Sequence, residues 1–159
     1  MNLVKNGAEI TSAVKSCIRN EMVNDGLLSD VETFIPSYRL DEDMDLPAVW
    51  LFEHPTTRVE SKHALSSIYL TTPFEFVCVV YDDDIEQSEI KGKDLAWRVG
   101  ETILKNKHKV IEGRRIFQNV TFRTLYPVGE VQLEGLNTKI PATSIILDIE
   151  YLVDWLKCK

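Results

Sequence analysis

The sequence predicts a single α+β domain, with a mixed, mainly antiparallel β-sheet of about four to five strands flanked by two main helices. The length of 159 residues is the common size of one domain. Apolar residues recur with helical spacing in two segments and alternate with period two in several others. Consecutive strands joined by loops favour antiparallel pairing, and two helices then cover one face of the sheet.

The first helix is predicted from about Asn6 to Asp25, with Asn6 as its N-cap and Gly26 as a left-handed residue that ends it. Its buried face is predicted from apolar residues at helical spacing: Ile10, Val14, Cys17 and Ile18. Residues 27–47 are expected to be an irregular insertion that contains Pro36, Pro47 and a short edge strand at Val31 to Ile35.

Strands dominate the next segment. Val49 to Phe52 forms a strand, and residues 53–62 form a polar loop. Ile68 to Leu70 and Phe74 to Tyr81 are extended and separated by Pro73, which marks a bulge or an edge position because proline donates no ladder hydrogen bond. The second of these stretches is apolar on both faces, as a central strand is.

The second helix is predicted from about Glu86 to Asn106. The Asp82, Asp83 and Asp84 run precedes it, where the helix dipole favours negative charge. Leu95, Val99 and Ile103 form its buried stripe, with Ala96 and Gly100 beside them and Trp97 off the stripe. Two alternating strands follow, at Arg114 to Tyr126 and at Ile145 to Trp155.

Residues 127–143 lie between these two strands and are expected to be a long loop or arm. The candidate docking residues are its apolar side chains: Val128, Val131, Leu133, Leu136 and Ile140. Two alternatives are open. The loop packs on its own sheet, or it contacts a neighbouring subunit or another protein and becomes ordered there.

Composition excludes several classes of protein. The net charge of -7 argues against a general nucleic-acid binder. No apolar run is long enough to cross a bilayer and the N-terminus lacks a signal peptide, so a soluble protein made in the cytoplasm is expected. The three cysteines are far apart, which is untypical of a disulfide framework or a zinc knuckle.

The charge is unevenly distributed. Residues 1–90 carry -11, whereas residues 91–115 carry +5. The basic segment is either a solvated helix face or a surface that meets an acidic surface of a neighbouring copy. In the second case the candidate interface residues are Lys105, Lys107, Arg114 and Arg115 on the basic side, with Asp82, Asp83 and Asp84 or the run 41–45 on the acidic side.

We find no convergent set of catalytic residues in the sequence, and no cofactor or metal is expected. A metal site built from His54, Glu60 and His63 is the competing hypothesis, that of a small metal-dependent enzyme or regulator. The run of three aspartates is explained more simply by a helix start than by a bound cation. Trp50, Trp97 and Trp155 are interpreted as core or interface anchors.

The order of elements resembles that of the tail terminator, or tail completion, proteins of tailed bacteriophages. Four features carry the resemblance after the first helix: Leu46-Pro47-Ala48-Val49-Trp50-Leu51-Phe52 entered through proline, the apolar strand Phe74 to Tyr81, the helix containing Asp94 to Leu104, and the closing strands that end in Ile145 to Trp155. The resemblance covers nearly the whole chain and leaves residues 27–47 and 127–143 as additions.

The resemblance implies a structural, non-enzymatic virion protein that forms a homohexameric ring at the head-proximal end of the tail. Its expected partners are other copies of itself, the tail tube protein, the head-tail connector protein and the genomic DNA that passes through the lumen. An acidic ring suits such a conduit because it repels phosphates. Another head-tail adaptor ring of the same machine is the alternative within this class.

Overall fold

The computed structural model describes residues 3–36, 44–59, 67–132 and 139–154. They form two helices, α1 (Gly7–Glu21) and α2 (Ile85–Leu104). The strands, in chain order, are β1 (Leu3–Val4), β2 (Thr33–Ile35), β3 (Ala48–Glu53), β4 (Thr57–Arg58), β5 (Ser67–Val79), β6 (Val110–Ile111), β7 (Arg114–Arg115), β8 (Asn119–Gln132) and β9 (Lys139–Asp154). No helix in these ranges is long and apolar enough to span a membrane.

One sheet contains seven of these strands. Its main order is β1-β9-β5-β3-β2, with β4 beside β5 and β8 beside β9. The β1–β9 and β2–β3 pairs are parallel, and the other pairs are antiparallel. The predicted α+β class and mixed, mainly antiparallel sheet are confirmed. The additional strands β1 and β4 have two residues each and are too short to give a periodic signal.

Both helices pack on the same face of the sheet. Their buried stripes meet Phe74 and Phe76 of β5 and the alternate residues Ile145 to Val153 of β9. The predicted stripes of both helices are buried there. The predicted N-cap Asn6 is confirmed, since its side chain accepts a hydrogen bond from the Ala8 amide. Asp84 caps α2 in the same way by accepting a hydrogen bond from the Glu86 amide. The sheet therefore has a helix-covered face and a helix-free face.

Part of the helix-free face has its own apolar cluster. Trp50, Val79, Ile140 and Ala142 are buried there together with Ile35 and Ala48. Met44, Leu46 and Val131 pack against this cluster from its margin. The segment before β3 and the end of the β8–β9 hairpin thus cover this region in place of helices.

Pro73 lies inside β5, which is one continuous central strand. Glu53 is opposite Phe74 and Thr57 is opposite Thr71, so three residues of the β3–β4 side face two residues of β5. This is a bulge, one of the two alternatives predicted at Pro73. The missing proline N–H falls at the bulge, where the Pro73 carbonyl still accepts a hydrogen bond from the His54 amide at 2.9 Å.

Helix α1 ends earlier than predicted, and Gly26 has a different role. The left-handed residue is Asp25, with φ of 67°. Gly26 is required because the chain folds back against the helix end: a Cβ at this position would lie 2.1 Å from the Glu21 carbonyl oxygen. Close approach, rather than backbone φ, selects glycine here.

The strand predicted from Arg114 to Tyr126 is interrupted. Ile116 and Phe117 are consecutive and both buried, so the chain leaves the alternating pattern between β7 and β8. Within β8 the register with β9 then shifts by one residue between Phe122 and Thr124. Because of this bulge, Phe122 faces the helices whereas Tyr126 lies on the opposite face.

The prediction of a long loop at residues 127–143 is wrong. Strand β8 continues through Pro127 to Gln132, and β9 begins at Lys139, so these residues extend a β-hairpin. Pro127 and Gly129 had suggested a loop, but they flank a second register shift that the ladder tolerates. Only residues 133–138 of this segment lie outside the described ranges.

Two glycine substitutions test this packing. Gly26→Ala is expected to lower the free energy of unfolding by about 2 kcal/mol, because the chain must move away from Glu21. Gly92→Ala in α2 is expected to raise it by about 0.5–1 kcal/mol, since alanine favours helix and the added methyl meets its nearest neighbours at 3.6 and 3.7 Å. Urea denaturation of both variants measures this, and equal effects would contradict it.

Candidate functional site

A polar cluster occupies the middle of the helix-free face. The Glu75 carboxylate accepts hydrogen bonds from three side chains: His54 Nε2 at 2.7 Å, the Tyr126 hydroxyl at 3.0 Å and the Ser144 hydroxyl. The Glu75 side chain is only 13% exposed, and that of His54 is 40% exposed. We call these four residues the Glu75 cluster. It joins β5, β8, β9 and the residue that follows β3.

The sheet register positions every member of the Glu75 cluster. Glu75 alternates with Phe74 and Phe76, whose side chains enter the core under the helices, and therefore points to the opposite face. Tyr126 and Ser144 are cross-strand partners in the β8–β9 ladder. Because the bulge in β8 reverses its alternation, Tyr126 reaches Glu75 instead of the helices.

The electrostatics of the cluster favour an ionised Glu75. Burial raises the pKa of Glu75, but the hydrogen bonds from Ser144, His54 and Tyr126 outweigh burial and leave the pKa below its usual value. Burial, and then the hydrogen bond to Glu75, raise the pKa of Tyr126. Tyr126 therefore stays protonated and donates, and Glu75 is the anionic acceptor that the other three groups share.

The arrangement differs from a nucleophile-base pair. Ser144 bonds one carboxylate oxygen of Glu75 and His54 bonds the other. Activation of a serine requires its hydroxyl to reach the base directly, with the carboxylate behind the base. Here the carboxylate lies between the two. The geometry supports a network that holds four chain segments together and presents a polar centre on the helix-free face.

The hypothetical metal site falls only partly within the described residues. His54 belongs to the Glu75 cluster, whereas Glu60 and His63 lie outside the described ranges. Within those ranges no group of three histidine, cysteine or carboxylate side chains is placed to hold a metal ion.

The predicted basic interface residues contact their own subunit. Lys105 pairs with Glu21, and Arg114 pairs with Glu9 at 2.8 Å. Arg115 donates to the carbonyl oxygens of Phe117 and Gln118 at 3.0 and 3.1 Å. These contacts fasten the segment after α2 to α1 and to the start of β8. Lys107 is exposed, and the role of all four residues between subunits stays a prediction.

The predicted acidic interface residues surround the start of α2. Asp82 pairs with Lys91, Asp83 accepts a hydrogen bond from the Tyr81 hydroxyl at 2.9 Å, and Asp84 is the N-cap. These contacts agree with the helix-start explanation of the three aspartates. The alternative acidic run at 41–45 lies largely outside the described residues.

The candidate docking residues are divided by the hairpin. Ile140 is buried and Val131 packs against the same apolar cluster on the parent sheet. Val128 is 40% exposed, and Leu133 and Leu136 lie outside the described residues. Packing on the subunit's own sheet therefore accounts for Val131 and Ile140, and Val128 is the described member available to a partner.

The sequence-based search missed Glu75, Tyr126 and Ser144. The signal for Glu75 was present, because a carboxylate flanked by two phenylalanines in a buried strand needs partners on the opposite face. The sequence offered no signal for Tyr126, which depends on the bulge. It also placed His54 with Glu60 and His63, whereas its observed partner is 21 residues away in β5.

Comparison with known proteins assigns no family: no family model matches the chain, and neither does any curated protein.

Removing the charge of the Glu75 cluster tests its role. Glu75→Gln is expected to lower the free energy of unfolding by about 1–3 kcal/mol at neutral pH, because the charge-assisted hydrogen bonds are lost. In the folded protein the pKa of Glu75 lies below its usual value of 4.5. The stabilisation is therefore fully present above pH 4.5 and disappears as the pH falls through the lower, folded-state pKa. The difference between wild type and variant should therefore shrink on acidification.

Urea denaturation of wild type and variant, from neutral pH down to the folded-state pKa of Glu75, measures this difference in stability. Glu130→Gln, at an exposed position of β8, is the matched control and should change stability little. A Glu75→Gln variant as stable as the control, or a difference that grows in acid, would contradict the assignment.

Metal titration tests the competing site. We expect neither binding of zinc or magnesium in the low micromolar range nor a rise in melting temperature, because Glu75 already occupies His54 Nε2. Calorimetry and thermal unfolding with each metal provide the measurement. A saturable rise in melting temperature that His54→Ala abolishes would overturn this expectation.

Proposed function

We propose that the chain is a structural subunit of a tailed bacteriophage, forming a homohexameric ring at the head-proximal end of the tail tube. In this role it stops tube polymerisation and joins the tail to the head connector. The genomic DNA passes through the ring without sequence-specific contacts. The protein acts by assembly and catalyses no reaction.

One observation supports the proposal most: the elements on which the resemblance rests occur in the same order in the structure, and their strands belong to one sheet. Helix α1 precedes β3, which is entered through Pro47, and the long strand β5 leads to α2 and then to the closing strands β8 and β9. The three long strands are adjacent in space, in the order β8-β9-β5. The elements that carry the resemblance therefore form one coherent fold, which supports the proposal.

The surface is consistent with a subunit that binds other proteins. Large apolar side chains are exposed on α2, on β6 and on β8. The overall charge of -7 disfavours adhesion to DNA moving past the subunit. The extended β8–β9 hairpin carries the exposed Val128, which we assign to contact with the tail tube.

Capping of tail tubes tests this function. The purified chain is added to the polymerising tail tube protein of the same virus and the tubes are imaged in negative stain. We expect a ring at one end of each tube and shorter tubes as the amount of the chain rises. Tubes of unchanged length with bare ends would contradict the terminator function. Binding to the connector but not to tubes would assign the chain to an adaptor ring instead.

A single substitution in the β8–β9 hairpin tests the proposed contact with the tail tube. Val128→Glu is expected to weaken capping by at least about tenfold, because it places a charge in an apolar contact. Its rings should form as in wild type. Glu130→Gln, also exposed on β8, is the control. Capping by Val128→Glu at wild-type concentrations would exclude Val128 from the contact.

A further inference from the structure

The outward face of α2 carries apolar side chains between acidic ones. Exposed residues at successive turns form the stripe Glu86, Ile90, Asp94, Trp97 and Glu101. Ile90 is 58% exposed and Trp97 is 50% exposed. Trp97 stacks on the exposed ring of Phe122 in β8, with centroids 5.7 Å apart and an interplanar angle of 5°. We call Ile90, Trp97 and Phe122 the aromatic patch.

The two rings of the patch are held in place by contacts within the subunit. Its two residues on α2 are held by a helix whose inner face is fully buried, and Phe122 is held by the β8–β9 ladder. The stack fixes both rings, so little side-chain entropy remains to be lost on binding. Rigid aromatic side chains with half their surface exposed are typical anchors of protein interfaces.

A second exposed apolar surface has the opposite charge. Strands β6 and β7 pair as a separate two-stranded hairpin, distinct from the β8–β9 hairpin. In β6, Val110 is 60% exposed and Ile111 is 37% exposed. The segment 105–115 around them contains five basic residues and one acidic residue, Glu112. We call Lys107, Val110 and Ile111 the hairpin patch. The contacts of Lys105 and Arg114 with α1 hold this hairpin in place.

We propose that the aromatic patch of one copy binds the hairpin patch of the next copy. The occupant is a second copy because the chain itself carries both halves of the contact: apolar residues bordered by acids on α2, and apolar residues bordered by lysines on the hairpin. The half-buried Arg98 pairs with Asp94 at 3.0 Å. Glu86, Glu89 and Glu101 then remain against the exposed Lys91 and Lys93, so α2 keeps a small excess of negative charge. The two patches differ, so the contact is heterologous and repeats from subunit to subunit.

This inference rests on the proposed ring and names its subunit contact. It also gives the segment 105–115 a divided role. Lys105 and Arg114 fasten the hairpin to its own subunit, while Lys107 and the two apolar residues of β6 face the neighbour. Repetition of one heterologous contact around a closed rotation gives a ring.

Two single variants, alone and mixed, test the contact by analytical ultracentrifugation. Ile90→Glu damages only the aromatic patch, and Val110→Glu damages only the hairpin patch. Both positions are exposed, so the fold should be retained, which circular dichroism checks. Each variant alone is expected to associate at least about tenfold more weakly than wild type. Mixed in equal amounts, they retain one intact contact per pair and should form dimers that grow no further.

Val23→Glu is the matched control, because it places the same charge at an exposed valine outside both patches and outside the proposed tube contact. It should associate as wild type does. Wild-type association by both patch variants, or equal weakening by the control, would overturn the inference while leaving the tube-capping test of the function unaffected. A wild type that stays monomeric, with patch variants that fail only to cap tubes, would assign the patches to the tube protein and overturn a contact between copies.

Discussion

The antiparallel pairing of β5 with β9 is the constraint on which the rest of the structure depends. Thirteen consecutive residue pairs join Ser67–Val79 to residues 142–154. This register decides which side chains meet the helices and which face away, because a slip of one residue would exchange the two faces. It places Phe74 and Phe76 under the helices and Glu75 opposite Ile146 on the helix-free face. The core and the Glu75 cluster are two consequences of the same ladder.

Two β-bulges bring the hydrogen-bond donors of the Glu75 cluster together on the helix-free face. The bulge beside Pro73 brings His54 to Glu75, and the bulge after Phe122 brings Tyr126 to the same carboxylate. Without these irregularities Glu75 would be a half-buried charge with fewer donors, which is costly in a sheet. The cluster therefore joins the end of β3 and the middle of β8 to the central β5–β9 pair.

The sequence predicted what local periodicity controls. Helices α1 and α2, strands β3 and β9 and the central position of β5 follow from the spacing of apolar residues, since each has a buried face several turns or residues long. Tertiary contacts determine the features that local periodicity did not predict. Gly26 is needed for a close approach to Glu21, and residues 127–132 form a strand despite Pro127 and Gly129 because the β9 partner is already in place. The partners of Glu75 come from distant parts of the chain and had no local signature.

Native mass spectrometry of the wild-type chain tests the central proposal most directly, since the proposed ring and its proposed subunit contact both require self-assembly through unlike patches. The account predicts a closed hexamer of the 18.2 kDa subunit, without a stable series of longer open chains. Dimers with two-fold symmetry as the final assembly would contradict it, because a contact between like patches saturates at two copies and cannot close a ring.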